Sequence, residues 1–164
     1  MDESIKEALH EAYTGEAKAA LRLKIFARKA EEEYPQVAKL FRVIAFSEEI
    51  HGERALRVLR EIGSTEENLK ESFESETNVA QVAYDNFLKV ALDLGEKEAA
   101  EHFTQSRDVE EGHAKLYKNA LNDLMEERVT TYYVCSVCGY IADGVLPEEC
   151  PVCGAKKEKF VYLD

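Results

Sequence analysis

Two stretches of equal length decide the fold: PQVAKLFRVIAFSEEIH at residues 35–51 and KEAAEHFTQSRDVEEGH at residues 97–113. Each stretch places an Ala and a Phe upstream of a Glu-x-x-His motif at the same offsets. A further Glu precedes each motif, because Glu16 lies 32 residues before Glu48 and Glu76 lies 34 residues before Glu110. The sequence therefore predicts two related helix pairs, each with an upstream Glu followed by a Glu-x-x-His motif.

The sequence outside these stretches is also helical in pattern, because apolar residues recur every three or four positions up to residue 131. Pro35 suits the first turn of a helix, and Gly63-Ser64-Thr65 supplies a stop followed by an N-cap. We expect four long helices at 3–32, 35–62, 66–94 and 96–128. The links are short, which favours antiparallel neighbours and an all-α four-helix bundle.

The charge of the chain excludes several classes of function. The 164 residues carry 21 basic and 33 acidic side chains, a formal net charge of −12. Duplex binding needs a basic face, so nucleic acid is not an expected partner.

The first thirty residues are interrupted by Glu and Lys and contain no apolar secretion segment, and no predicted helix is uniformly apolar. We therefore expect a cytoplasmic protein with no membrane partner.

The repeated pattern predicts a metal site inside the bundle. Residues i and i+3 of a helix share a face, so each Glu-x-x-His motif offers one carboxylate and one imidazole to the same point. Four inward carboxylates would repel each other unless cations neutralised them, and oxygen ligands with one nitrogen per metal suit iron or manganese. Bridging ligands would be Glu48 and Glu110, and terminal ligands would be Glu16, Glu76, His51 and His113. His10 and His102 lie on other faces or turns and are left out.

A second metal site is predicted in the tail, residues 132–164, which holds every cysteine of the chain. Two Cys-x-x-Cys motifs, each followed by Gly, can place four thiolates around one tetrahedral ion: Cys135, Cys138, Cys150 and Cys153. So short a segment cannot fold on apolar burial alone, which also favours a metal. Zinc would make the tail structural and iron would make it an electron carrier, and the acidic chain favours iron. We expect two domains, 1–131 and 132–164.

These motifs resemble the rubrerythrin family over nearly the whole chain, with a ferritin-like bundle followed by a rubredoxin-like tail. The resemblance implies a non-haem di-iron peroxidase, an oxidoreductase that reduces hydrogen peroxide to water. Its cofactors would be two Fe at the six bundle ligands and one Fe at the four cysteines, which relays electrons; Zn or Mn could substitute. The donors would be a rubredoxin and an NAD(P)H-dependent reductase. The family also forms head-to-tail homodimers, in which one chain's rubredoxin iron lies near the other chain's di-iron site.

The chain departs from the family pattern at two positions. The family carries a further Glu three residues after the third-helix ligand, where this chain has Val79. Without that Glu, His51 should remain on its metal, and oxygen reduction or iron oxidation becomes the alternative function. One family tyrosine is matched by Tyr84, whereas the position of the other is Leu23. The Tyr84 hydroxyl could bind a ligand carboxylate, or its ring could simply fill the core.

Overall fold

The computed structural model describes residues 1–124 and 129–162. These residues form five α-helices, a π-helical turn and a three-stranded sheet. The chain divides into two compact units, Met1–Gly63 and Ser64–Asp164. Within the described residues, no helix has the length and apolar character needed to cross a membrane. The predicted fold class, mostly helical with a small C-terminal knuckle, is confirmed.

The first unit consists of α1 (Glu3–Ala30) packed along α2 (Pro35–Leu59). The Asp2 carboxylate caps α1 by accepting a hydrogen bond from the Ser4 backbone N–H at 3.0 Å. Pro35 begins α2, where a backbone N–H would have no helical partner. The buried side chains of this unit are all small: Ala20, Ala27, Ala38, Ala45 and Ala55. Small side chains let the two helix backbones approach closely.

Both helices of the first unit end slightly before their predicted limits of 32 and 62. The second helix ends at Leu59 because Arg60 takes a left-handed conformation with φ of 60°. Its N–H and that of Glu61 then fold back to the carbonyls of Arg57 and Leu56, at 3.2 and 3.1 Å. This arrangement satisfies the last carbonyls of the helix and turns the chain sharply.

The second unit begins with α3 (Thr65–Asn78), which Ser64 and Glu67 start through a reciprocal capping box. The sequence predicts one uninterrupted helix over 66–94, and this prediction is wrong at Val79–Ala83, which form a π-helical turn. The rod then continues as α4 (Tyr84–Leu94) and ends at Gly95, where φ is 74°. A π-helical turn adds one residue to a helical turn and rotates the following side chains around the helix axis, but it does not break the helix. The spacing of apolar residues therefore does not reveal it.

The last helix is α5 (Lys97–Asn122). Its predicted extension to 128 runs into residues 125–128, which lie outside the described residues. The tail follows with β1 (Tyr132–Cys135), β2 (Ile141–Asp143) and β3 (Phe160–Tyr162), which form an antiparallel sheet in the order β2-β1-β3. The domain boundary at 131 and 132 stays a prediction.

Candidate metal centres

The first unit brings three predicted ligands together, and we call Glu16, Glu48 and His51 the first triad. Nδ1 of His51 lies 3.1 Å from Oε2 of Glu48 and 3.7 Å from Oε1 of Glu16. One potential ligand atom from each residue lies within 4.8 Å of the others. The two helices meet closely at this level, because a Cβ built on Gly52 would lie 3.9 Å from Cβ of Glu16. The first triad can therefore hold one cation.

The second unit contains an almost identical cluster, the second triad of Glu76, Glu110 and His113. Nδ1 of His113 lies 3.0 Å from Oε2 of Glu110 and 3.7 Å from Oε1 of Glu76. The geometry matches that of the first triad to within 0.1 Å in the shorter distance. The repeat in the sequence thus reappears as a repeat in space, with two oxygens and one nitrogen available in each unit.

The carboxylates of both triads are crowded enough to perturb their pKa values. Burial and a hydrogen bond to Glu110 raise the pKa of Glu76 from 4.5 to about 7, although His113 opposes the shift. A hydrogen bond to Glu48 raises the pKa of Glu16, with burial and the Glu48 charge adding to the effect. Each pair of carboxylates is therefore crowded in a way that favours a bound positive charge. A divalent cation would supply that charge, so the donor set fits a metal.

The tail contacts the second triad directly. Nε2 of His113 lies 3.4 Å from the carbonyl oxygen of Gly139, which follows Cys138 in the first cysteine motif. With its proton on Nε2, His113 donates to this carbonyl and leaves the Nδ1 lone pair facing Glu110 and Glu76. Sequence reasoning missed Gly139, because its role depends on a main-chain carbonyl, which no residue pattern marks.

The four cysteines form the cage that the sequence predicts. Sγ of Cys135 lies 3.7 Å from Sγ of Cys153, and Sγ of Cys138 lies 3.6 Å from Sγ of Cys150. A tetrahedral ion with metal–sulfur bonds of about 2.3 Å would separate its sulfurs by about 3.8 Å, so the cage fits a metal without rearrangement. All four cysteines are free thiols.

The two cysteine motifs fold alike around the cage. The N–H of Gly139 donates to the carbonyl of Cys135, and the N–H of Gly154 donates to that of Cys150, both at 2.9 Å. Both glycines have positive φ, 86° and 70°, which a side chain would strain. Burial raises the pKa of the Cys138 thiol. A cation is therefore needed to hold the thiolate form there.

The remaining candidates contact other side chains. Tyr84 packs its ring against Phe87 and Phe103, with centroids 5.9 and 6.3 Å away. His102 stacks against Phe103 at 5.6 Å, and His10 pairs with Glu61 at 3.0 Å. The exclusion of His10 and His102 from the site stays a prediction, as does a role for the Tyr84 hydroxyl beside the ligands.

A cleft of about 570 Å³ opens beside the second triad, within the second unit. Glu76 and His113 lie at its wall, and the other lining residues are mostly apolar: Leu69, Leu116, Tyr117, Ala120, Tyr132, Val134 and Ile141. Helix residues form one side and strand residues the other. Glu76 and His113 are therefore accessible from this cleft.

Two carboxylate–imidazole triads on long helices, followed by a four-thiolate knuckle, define a class of non-haem iron protein with a ferritin-like part and a rubredoxin-like part. The family model for rubrerythrin matches residues 7–121, and the model for the rubrerythrin rubredoxin-like domain matches residues 133–161. The chain belongs to the rubrerythrin family. The cofactors expected from the sequence, a di-iron centre and a four-thiolate iron, are those of this oxidoreductase family.

Named relatives cover most of the chain. It is 34% identical to Rubrerythrin-2 of Clostridium acetobutylicum, over 93% of this chain and 92% of that protein. It is 32% identical to nigerythrin of Nitratidesulfovibrio vulgaris, over 96% and 85% of the two chains. The solved structure of fully reduced, all-ferrous nigerythrin is 29% identical in sequence, with a TM-score of 0.61. The match covers 96% of this chain and 86% of the nigerythrin chain.

Proposed function

We propose that the protein is a non-haem di-iron peroxidase that reduces hydrogen peroxide to water, with electrons relayed by the four-thiolate iron. Proteins of the rubrerythrin family act on peroxide or oxygen with redox partners. The observation that carries the proposal is the contact between the knuckle and the second triad, at 3.4 Å from His113 to Gly139. An electron carrier built against a metal ligand suits a reductase better than a storage protein.

The six bundle ligands would hold the di-iron pair. In this proposal Glu48 and Glu110 would be shared between the two ions, Glu16 and Glu76 would each serve one ion, and each imidazole would offer Nδ1. When bound, the pair would supply two electrons to the substrate, and the thiolate-bound iron would restore them singly. Four carboxylates would balance the formal charge of two divalent cations, which would help to keep the pair bound in a partly apolar setting.

The chain would also hold the four-thiolate iron close to a ligand of the bundle site. Cys138 and Gly139 are neighbours in sequence, so covalent bonds and one hydrogen bond connect the Cys138 sulfur to the His113 imidazole. The Gly139 carbonyl fixes the orientation of the ring and makes Nδ1 a better ligand. Electrons would enter the knuckle from a rubredoxin or an NAD(P)H-dependent reductase, in the cytoplasm, and the working form would be a homodimer.

Val79 favours a second candidate function, oxygen reduction or iron oxidation. It stands three residues after Glu76 and begins the π-helical turn, where it offers no ligand atom. A site without a seventh carboxylate has no group that can exchange with His51. Such a site would keep the same six ligands in both redox states and would lose a basis for preferring peroxide.

Rapid mixing of the reduced protein separates the two candidates. We expect hydrogen peroxide to oxidise the reduced centre faster than oxygen does, and an equal or faster reaction with oxygen would contradict the peroxidase proposal. His113→Ala should abolish turnover but preserve the thiolate-iron absorption. His102→Ala is the matched control, because it lies on the same helix but outside the triad and should retain activity.

A further inference from the structure

The cleft beside the second triad is lined by one face of each of its two helices. Its residues on α5 recur at offsets of three, four and seven positions and therefore share a helix face: His113, Leu116, Tyr117 and Ala120. On α3, Leu69 and Glu76 are seven residues apart and share a face in the same way. Each face thus joins one predicted metal ligand to apolar side chains further along the helix.

The knuckle supplies the other side of the cleft through one face of its sheet. Tyr132 and Val134 are two residues apart on β1, so their side chains point to the same face. Val134 is the partner of Ile141 in the ladder with β2, which places Ile141 on that face as well. The cleft therefore lies between two regular surfaces, one of helices and one of sheet, within the second unit.

The two ligand side chains lie at one end of the cleft. The chain reverses direction at Gly95, so α5 runs antiparallel to α3, and the two helices pack together. Glu76 and His113 meet at one level, where Nδ1 of His113 lies 3.7 Å from Oε1 of Glu76. Seven residues along each helix, in the same direction, come Leu69 and Ala120, about 10 Å from that level. The cleft thus runs from a metal-binding end to a largely apolar end.

Hydrogen peroxide would use little of this space. The cleft has a volume of about 570 Å³. A water molecule takes about 30 Å³ of the liquid, and hydrogen peroxide has only one oxygen atom more. Hydrogen peroxide also carries no hydrocarbon that could contact Leu116, Val134 or Ile141. A mostly apolar cleft with a few polar groups gathered at one place is typical of a site for a small organic molecule.

We propose that this cleft binds the organic group of alkyl hydroperoxides, written ROOH, in which R is an apolar chain of up to about 10 Å. The peroxide oxygens lie at the end of the cleft formed by Glu76 and His113. R lies between the α5 face and the sheet, against Leu116, Val134 and Ile141. Burying R removes apolar surface from water, a gain that hydrogen peroxide does not have. The inference rests on the proposed function for its chemistry and adds a class of substrate to it.

The reaction uses the electrons that the proposed function supplies. ROOH takes up two electrons and two protons and gives one alcohol, ROH, and one water. The O–O bond breaks, the two added electrons complete the shells of the separated oxygens, and each oxygen takes one proton from solvent. The electrons come from the redox donors through the four-thiolate iron. The alcohol keeps R but has no O–O bond, so it binds the same cleft as an unreactive ligand.

Binding of primary alcohols tests the cleft apart from turnover. The oxidised, iron-loaded, full-length protein is titrated with hexanol, heptanol and octanol by isothermal calorimetry. Each methylene that the cleft buries should strengthen binding about threefold to fourfold. The thiolate-iron absorption shows in every sample that the knuckle has folded.

Filling the apolar end of the cleft should weaken this binding selectively. Ala120→Phe places a ring in the cleft and should lower the affinity for octanol about tenfold or more. Lys118→Phe is the matched control, because Lys118 is exposed on the same helix, two residues away and about 200° round its axis. Should Ala120→Phe fail to fold, Val134→Thr keeps the side-chain shape but replaces an apolar methyl by a hydroxyl, which should lower the affinity several-fold.

Turnover with hydroperoxides gives the second readout. Within the iron-loaded wild type, kcat/KM for octyl hydroperoxide should exceed that for hexyl hydroperoxide about tenfold. Ala120→Phe should bring this ratio close to one, whereas Lys118→Phe should keep it. Alcohol affinities that respond equally to the two substitutions, or a wild-type hydroperoxide ratio near one, would overturn the inference. Reduction of hydrogen peroxide by the same sample would then show that the proposed function survives, and a sample that reduces no peroxide of either kind would overturn both proposals.

Discussion

Replacing Leu40 by Ala tests whether the exposed apolar face of α2, which carries Leu40 and Ile44, is covered in the working protein. Leu40 is 55% exposed in the single chain, and Leu21 on α1 is 62% exposed. Leu21 is five residues from Glu16, about 140° round the helix, and therefore faces away from the triad. The two leucines thus have the same chemistry and nearly the same exposure but lie on different faces.

The two substitutions should differ strongly if other helices cover this face of α2, as the six-ligand bundle of the proposed function requires. Truncating a leucine buried at a helix interface costs about 2–5 kcal/mol, whereas truncating one that stays on the surface costs about 0.5 kcal/mol. Leu40→Ala should therefore lower the free energy of unfolding by about 2 kcal/mol or more beyond the loss caused by Leu21→Ala.

Urea unfolding followed by far-UV circular dichroism measures this difference at fixed protein concentration. Equal losses of unfolding free energy for the two variants would refute the claim that this face of α2 is covered.

Three further changes give distinct readouts. Gly52→Ala should raise the free energy of unfolding by about 0.5–1 kcal/mol in thermal melts, because alanine favours a helix more than glycine does. The added Cβ would lie 3.6 Å from the Tyr13 side chain, an ordinary contact distance. A lower melting temperature would show that α1 and α2 pack differently. In the metal-free protein, the pKa of Glu76 is raised from 4.5 to about 7 by folding. Between these two pH values the folded chain holds a proton on Glu76 that the unfolded chain has lost. The free energy of unfolding should therefore fall as pH rises through that range. Glu76→Gln should flatten this dependence in pH-resolved melts, and an unchanged slope would remove Glu76 as its source. Gly139→Ala keeps the main-chain carbonyl but strains a backbone φ of 86°, and the new Cβ would lie 3.8 Å from Val109. Electron transfer to the bundle iron should therefore slow in stopped-flow traces, although the cysteines still bind their iron. An unaltered rate would contradict the relay through His113.

The sequence was sufficient for the features that depend on residue type and spacing. Glu48 and His51 are three residues apart, so any helix brings them together, and the structure places them 3.1 Å apart. The same argument holds for Glu110 and His113. The cysteine cage follows from two motifs with glycines that permit tight turns. The role of these residues as ligands stays a prediction that metal binding must test.

Other features depend on tertiary geometry and leave no mark in the pattern. The π-helical turn at Val79–Ala83 shifts the helix by a fraction of a turn, which apolar spacing tolerates. The contact of Gly139 with His113 uses a carbonyl that every residue possesses.

Anaerobic titration of the metal-free protein with ferrous ion tests the central claim most directly. The account predicts three equivalents per chain, one with the thiolate-iron absorption and two without it, and predicts that Glu110→Ala removes the latter two. Uptake of a single equivalent, at the cysteines alone, would contradict the di-iron site and everything built on it.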